Sequence, residues 1–170
     1  QNWDWLERIV GRTFVMRVRR ADLPSFVGLT EAGILGCKMG VNEAGIGLCV
    51  NGLVSDRDGR SPWEKPFHLR CRAILDAGSF SEALGAVLAT DRVGSANFLI
   101  GHAEDEIVNL ETAPDVATAI HPDGDGVVVH ANHFEATPAV VSMMERVSPS
   151  TLYRAARLRR ILKDRLGRLD

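Results

Sequence analysis

Two residues that lie far apart in the sequence have side chains suited to acyl-transfer chemistry. Asp4 stands in the block Gln1-Asn2-Trp3-Asp4-Trp5, and Asn132 stands in the block Val129-His130-Ala131-Asn132-His133-Phe134. A carboxylate accepts hydrogen bonds from an ammonium or a thiol. A carboxamide N–H donates to the oxyanion that develops on an attacked carbonyl, which stabilises comparable sites by roughly 2.7 to 4 kcal/mol. Each residue also has a structural interpretation, as a turn cap or a turn asparagine.

The local pattern around each residue favours a position at the end of a strand. Side chains alternate along an extended segment, so Asn2 and Asp4 point to one face while Trp3 and Trp5 point to the other. Asn132 follows the β-branched run 127–129, where a strand leaves its sheet. Such positions hold a side chain rigidly and still let it reach solvent.

Hydrophobic periodicity predicts the strands and helices that position these side chains. Alternating or β-branched runs, bounded by Gly, Asn, Asp and Pro, predict two groups of strands. The first group covers residues 13–19, 26–30, 34–39 and 46–53, and the second covers residues 96–101, 107–110, 116–120 and 127–131.

A helical pair is predicted between the two groups, over residues of about 66 to 90. Its first helix has an apolar stripe that begins at Phe67, and Gly78 ends it. Ser79 and Glu82 form a Ser-x-x-Glu capping box for the second helix. A further helix is predicted from Ser150, with one apolar side formed by Leu158, Ile161, Leu162, Leu166 and Leu169. Its many arginines are better explained as a solvated face than as a binding surface for a nucleotide or coenzyme A.

Strand groups separated by helices predict an α+β fold. Each sheet must cover its apolar face, so the two groups are expected to form two stacked antiparallel sheets with helices outside.

Three blocks in fixed order carry a resemblance to a known family. They are residues 1–5, residues 31–53 (EAGILGCKMGVNEAGIGLCVNGL) and residues 129–134. Together they resemble the acyl-coenzyme A:6-aminopenicillanic acid acyltransferase family, the isopenicillin N acyltransferase-like members of the N-terminal-nucleophile hydrolases. The resemblance covers roughly the first 135 residues, and in its His-Thr-Asn-His pattern this chain has Ala131 in place of the threonine.

The resemblance implies a four-layer αββα sandwich, here incomplete at both ends. The resemblance also implies that Asp4 orients the nucleophile and its α-amino group, and that Asn132 is the oxyanion donor. Length and composition predict one domain over residues 1–170, with 150–170 as a helical extension.

The nucleophile that the resemblance implies is a cysteine made N-terminal by self-cleavage, a short distance upstream of residues 1–5. Gln1 has neither a nucleophilic oxygen nor a thiol, so we expect the nucleophile upstream of Gln1, on a precursor that also supplies downstream segments. The implied reaction is attack on an amide or thioester, an acyl-enzyme, and transfer to water or an amine. The expected substrates are small N-acyl amino compounds, peptides or acyl-coenzyme A, with no metal or organic cofactor required.

Four further residues are candidate substrate contacts: Trp5, Asn51, Asn97 and His133. A metal site at His130 and His133 is disfavoured, because residues three apart on an extended segment face opposite sides and spaced cysteine or carboxylate partners are lacking. The glycine-rich stretch 40–45 has no Lys-Ser/Thr ending, so it predicts a β-turn between strands rather than a phosphate loop.

The composition argues against several classes of binding partner. With 20 Lys and Arg against 22 Asp and Glu, the charge balance disfavours nucleic acid or an anionic membrane surface. No apolar run reaches the roughly 20 residues of a membrane span. The 3 cysteines are odd in number and lie in apolar contexts, which favours free thiols in the cytoplasm. The sequence is compatible with a homo-oligomer.

Two alternatives stay open. The first is a non-catalytic, ligand-binding relative that has lost the nucleophile. The second is a hydrolase with an internal nucleophile, Cys37 or Cys49, although apolar strands disfavour a reactive thiol and a core role is preferred for both.

Overall fold

A computed structural model describes residues 1–3 and 6–168 of the chain. Within these residues, α1, α2 and α3 cover Phe67–Leu75, Phe80–Leu88 and Thr151–Lys163. Short 3₁₀ helices cover Glu7–Arg12 and Met144–Arg146. The strands β1 to β7 cover Thr13–Val18, Phe26–Glu31, Met39–Asn42, Ile46–Gly52, Ala96–His102, Ile107–Ala113 and Val116–Ile120.

All seven strands belong to one antiparallel sheet, in the order in which they occur along the chain. The α+β class predicted from the sequence is confirmed, but the prediction that the two strand groups form two sheets is wrong for the described residues. The chain leaves β4, forms the helical pair, and returns beside β4 as β5, so that Gly52 pairs with Ala96 and Ile46 with His102. Periodicity predicts strands and not their partners, so it could not detect this pairing.

The core lies between the sheet and the helical pair, as predicted for residues 66 to 90. Alternate residues of the central strands point toward the helices, because side chains alternate along a strand. The buried core residues on the sheet include Ile46, Leu48, Val50, Phe98, Ile100 and Leu110, and those on the helices are Cys71, Ile74, Leu75, Ala83 and Val87.

Ser79 caps the start of α2 as the sequence predicts, whereas the prediction that Gly78 ends the first helix is wrong, because α1 ends at Leu75 with Asp76 as its C-cap. The Ser79 hydroxyl accepts a hydrogen bond from the Glu82 backbone N–H at 3.2 Å. The Glu82 carboxylate accepts from the Gly78 N–H at 2.8 Å, one residue earlier than in the standard capping box. Asn42 completes the packing, because its side-chain nitrogen donates to the Leu75 carbonyl at 3.1 Å and to the Ala77 carbonyl at 2.8 Å, at the end of α1.

Two predicted strands are wrong in whole or in part. Residues 34–38 are irregular, and β3 begins only at Met39. This loop presses on α1: a Cβ on Gly36 would lie 1.8 Å from the His68 carbonyl oxygen, so only glycine allows the approach. The stretch 40–45 does join two strands through a turn, as predicted, with Gly45 at φ +81°.

Residues 127–131 also form no strand. Val129 and Ala131 instead pack against Ala155 of α3, with Val127 and Leu162 at the edge of the same cluster. The predicted apolar side of α3 is only partly covered, since Leu158, Ile161 and Leu166 are 40, 45 and 42% exposed and Leu169 lies outside the described residues. Contacts with α3, and not pairing in the sheet, hold this segment in place. The composition of the segment does not distinguish these two arrangements.

The face of the sheet opposite α1 and α2 changes from apolar to polar across the width of the sheet. Toward β1 and β3 it is apolar and open, with Val15 68% and Val41 60% exposed. Toward β4, β5 and β6 it carries a polar row, because Asn51 pairs with Asn97 and Asn97 with Glu111. In the described part of the chain, no helix is long and apolar enough to cross a membrane.

Candidate active site

Asn132 lies where the loop after residues 127–131 meets the end of β4. Its side-chain nitrogen donates a hydrogen bond to the Gly52 carbonyl at 2.9 Å. Its side-chain oxygen accepts from Arg154 Nη2 at 2.7 Å, and its backbone N–H donates to the Thr151 hydroxyl at 2.7 Å. A carboxamide nitrogen has two N–H groups, and Gly52 occupies one of them. The other can donate to a ligand.

Glu111 anchors the loop that carries Asn132. Its carboxylate is fully buried. It accepts hydrogen bonds from His130 Nε2 at 2.8 Å and from the Thr137 hydroxyl at 2.8 Å. It also accepts from the backbone N–H groups of Glu135, at 2.5 Å, and Ala136, at 2.9 Å. Glu111 therefore fixes the loop on both sides of Asn132.

The charge of Glu111 is stabilised by these donors. Burial by itself raises the pKa of the carboxyl, but the hydrogen bonds from His130, Glu135, Ala136 and Thr137 together lower the pKa below its ordinary value. Glu111 was not among the site residues predicted from the sequence. Its signal was a lone acidic residue inside a β-branched and apolar strand, where an unpaired carboxylate is costly.

Asn51 and Asn97 both lie on the polar row of the sheet. Asn51 donates from its side-chain nitrogen to the His130 carbonyl at 3.1 Å, so it also holds the loop. Asn97 is 1% exposed and donates to the Asn109 side-chain oxygen at 2.8 Å. Both contacts favour a structural role, and substrate contact by either residue stays a prediction.

Asn97 and Asn109 leave two buried polar atoms unsatisfied. Among the described residues, Asn97 Oδ1 and Asn109 Nδ2 have no hydrogen-bond partner. Buried polar atoms of this kind are normally paired with protein or water.

His133 contacts the start of α3. Its Nδ1 lies 3.0 Å from the Thr151 hydroxyl, which also accepts from the Asn132 backbone. Thr151 is fully buried and was not singled out from the sequence. Within residues 1–3 and 6–168, no cluster of three or more His, Cys, Asp or Glu residues could hold a metal ion.

The N-terminal segment docks beside the same strand. Residue 50 of β4 has no partner on β3, whose pairing with β4 involves Gly40 with Leu48 and Val41 with Gly47. The Gln1 side chain fills this position: its Oε1 accepts from the Val50 N–H at 2.9 Å, and its Nε2 donates to the Val50 carbonyl. The carboxamide of Gln1 thus makes the two hydrogen bonds with Val50 that the backbone of a neighbouring strand would otherwise make.

A buried ion pair holds Trp3. The indole N–H donates to Glu31 Oε1 at 2.9 Å, and Lys38 Nζ lies 3.1 Å from the same oxygen. The ammonium also lies 3.9 Å from the centre of the Trp3 ring, which is a cation–π contact. Asp4 and Trp5, predicted as the orienting acid and a substrate contact, lie outside the described residues, so both assignments stay predictions.

The three sequence blocks therefore converge on the end of β4. Gln1 of the first block binds Val50, and Asn132 of the third block binds Gly52. Both β4 residues belong to the second block, and they are two positions apart, about 7 Å along a strand. Tertiary structure thus brings the first and third blocks to within one small region.

The three cysteines are free, and each has a raised pKa. Burial is the main cause at Cys37 and at Cys49, and it raises the pKa of Cys71 to about 12. Cys37 and Cys71 belong to the core, as preferred for Cys37. Cys49 is half-buried on the other face of the sheet, so the core role preferred for it is wrong.

Cys49 lines a shallow, mainly apolar depression of about 400 Å³ together with Gln1, Val27, Met39 and Leu99. The depression opens on the face opposite α1 and α2. A thiol with a raised pKa is a poor nucleophile at neutral pH, because little thiolate forms.

The family of acyl-coenzyme A:6-aminopenicillanic acid acyl-transferases matches this sequence over residues 1–167. The chain belongs to this family. The match extends beyond the roughly 135 residues expected from the motifs and includes the loop at Asn132 and the whole of α3.

A solved structure supports the fold. The Caenorhabditis elegans ortholog of N-acylethanolamine-hydrolyzing acid amidase (NAAA) superposes with a TM-score of 0.62 at 17% sequence identity. The alignment covers 74% of this chain and 58% of that protein, so this chain spans little more than half of its length. At this identity the likeness concerns the fold, and it confirms the N-terminal-nucleophile hydrolase fold expected for the family.

Proposed function

We propose that this chain forms part of a cysteine-dependent N-terminal-nucleophile amidohydrolase or acyltransferase. Its substrates would be small N-acyl amino compounds, peptides or acyl thioesters, and the nucleophilic cysteine would precede Gln1. The observation that carries the proposal is the convergence of Gln1 and Asn132 on Val50 and Gly52 of β4. A precursor cut just before the N-terminal block would present its new terminus beside this strand.

The proposed chemistry assigns one step to each group. The cysteine sulfur bonds to the substrate carbonyl carbon, and the carbonyl oxygen takes up the negative charge. The free N–H of Asn132 donates to that oxygen. The tetrahedral intermediate then collapses and the carbonyl re-forms, the C–N or C–S bond to the leaving group breaks, and the leaving amine or thiol takes the proton that the α-amino group of the cysteine received from its thiol.

Asp4 would orient the nucleophile at the start of this sequence of steps. A carboxylate beside the α-amino group accepts its hydrogen bond and favours the arrangement in which that amine receives the thiol proton. The clamp of Trp3 by Glu31 and Lys38 supports this role, because it immobilises the residue directly before Asp4. Water or an amine then releases the acyl group from the enzyme.

The family and the related fold both support the proposed substrate class. Acyl-coenzyme A is the donor that the family name implies, and N-acylethanolamines are the substrates for which NAAA is named. Both contain a carbonyl on a nitrogen or sulfur leaving group, which the same acyl-enzyme route can cleave. A cytoplasmic location is part of the proposal and is supported by the three free thiols.

The test is made on the full-length protein. Intact mass should show cleavage immediately before a cysteine upstream of Gln1, and incubation with an N-acyl substrate should leave an acyl adduct on that cysteine. Changing the cysteine to alanine should abolish both the cleavage and the turnover, while changing it to serine should retain slow cleavage. A full-length protein with no residue able to act as nucleophile at that position, and with ligand binding but no turnover, would instead support the non-catalytic relative.

A further inference from the structure

The carboxamide of Asn132 is held by two partners of opposite type. The Gly52 carbonyl can only accept a hydrogen bond, and the Arg154 guanidinium can only donate. Turning the amide over would place its N–H group against a cation and its oxygen against another oxygen. The two partners therefore fix the side-chain nitrogen of Asn132 on the Gly52 side.

Arg154 also changes the strength of the amide as a donor. A charged hydrogen bond at 2.7 Å to Asn132 Oδ1 draws electron density away from the amide nitrogen. Hydrogen bonds in a chain polarise one another, and bonds from an ionised donor are about twice as strong as neutral ones. The remaining N–H of Asn132 becomes a better donor for an oxyanion.

Two residues in the first turn of α3 form hydrogen bonds with Asn132. Thr151 and Arg154 are three residues apart, so they lie on the same face of the helix. Thr151 accepts from the Asn132 backbone, and Arg154 donates to its side chain. Other basic residues of α3 form ion pairs, such as Lys163 with Asp125 and Arg159 with Asp123. In the part of the chain that the structure describes, Arg154 has no carboxylate within ion-pair distance.

We propose that Arg154 is a positioning residue that orients and polarises Asn132 for oxyanion stabilisation. The proposal rests on the proposed function and adds to it a residue of α3 that does not touch the reacting atoms. Direct binding of an anionic group of the substrate by Arg154 is the competing role. The two roles differ in which kinetic constant they affect.

Three variants of Arg154 test the proposal in the full-length enzyme. Arg154→Gln keeps a donor but loses the charge, Arg154→Lys keeps the charge, and Arg154→Ala loses both. We expect kcat to fall about 10-fold in Arg154→Gln and further in Arg154→Ala, with KM unchanged, because the interaction strengthens in the transition state. Arg154→Lys should recover part of the loss. Arg157→Gln, which changes an exposed arginine of the same helix, should stay within about 2-fold of wild type.

A double-mutant cycle with Asn132→Ala decides how Arg154 acts. If Arg154 acts through Asn132, then Arg154→Gln should have no further effect on kcat in the Asn132→Ala background. An equal loss of kcat in both backgrounds would overturn the proposal, and so would a rise in KM with kcat unchanged. Because Arg154 is exposed, the melting temperatures of its variants should match wild type.

The same cycle distinguishes the positioning role of Arg154 from the oxyanion role of Asn132. If Asn132→Ala retains wild-type kcat, the oxyanion role of Asn132 is wrong and the role of Arg154 is overturned with it. If Asn132→Ala is impaired and Arg154→Gln is not, the role of Arg154 alone is overturned.

Discussion

The side-chain nitrogen of Asn132 donates to the backbone carbonyl of Gly52 at 2.9 Å, across 80 positions of sequence. Gly52 is the last residue of β4, the central strand that also binds Gln1 through Val50. This contact places the proposed oxyanion donor at a defined point, the end of the central strand of the sheet. Rigid placement lets a donor stabilise charge without reorganisation during the reaction.

Replacing Asn132 should impair catalysis more than folding. In the full-length enzyme we expect Asn132→Ala to lower kcat by about 100-fold or more with little change in KM, because it removes the oxyanion donor. Asn132→Asp keeps the shape, but it puts a carboxylate where negative charge develops, so its kcat should be at least as low. Steady-state kinetics and thermal melts would check both variants. A kcat within a few-fold of wild type for Asn132→Ala would contradict the assignment.

Removing the Glu111 carboxylate should destabilise the protein strongly. Glu111→Ala leaves His130, Thr137 and two backbone N–H groups without their buried acceptor, and the loss of one partner of such a network costs about 3 to 5 kcal/mol. Urea unfolding would measure the free energy of unfolding. Glu106→Ala, which removes an exposed carboxylate before β6, is the matched control and should change it by less than about 0.5 kcal/mol.

Stability should fall in acid because of the same carboxylate. The pKa of Glu111 is lowered in the folded protein, so its contribution is fully present above the unfolded-state pKa of about 4.3. The contribution is lost as the pH falls from there through the lowered, folded-state pKa. The difference in unfolding free energy between wild type and Glu111→Gln should therefore be constant from pH 7 to about 5 and should shrink below pH 4. A difference that does not depend on pH would rule out an ionised Glu111.

The three cysteines in the chain should be unreactive and dispensable for turnover. The pKa of each thiol is raised, so iodoacetamide at pH 7 should label none of them quickly, and the half-buried Cys49 should react first as the pH rises. Peptide mass spectrometry would locate the label. Cys49→Ala should retain wild-type kcat, and an acyl group trapped on Cys37 or Cys49 during turnover would support the internal-nucleophile alternative.

Much of the architecture follows from local pattern. The helical pair, most strand positions, the cap at Ser79 and the turn at Gly45 depend on interactions within a few residues, so periodicity and turn chemistry predict them. The family was also accessible from the sequence, since its three blocks are short and ordered. Asn132 could be predicted as a site residue because it follows a β-branched run in one of these blocks.

Only the tertiary structure decided what those blocks do together. The direct pairing of β4 with β5 makes one sheet of two strand groups, and residues 127–131 are held by α3 and by side chains of the sheet instead of by a strand partner. Glu111 and Arg154 acquire their roles from contacts with the loop at Asn132, 19 to 26 and 22 positions away in the sequence. Such contacts depend on which distant groups meet after folding, and neither residue type nor spacing along the chain encodes that meeting in a form that local pattern reveals.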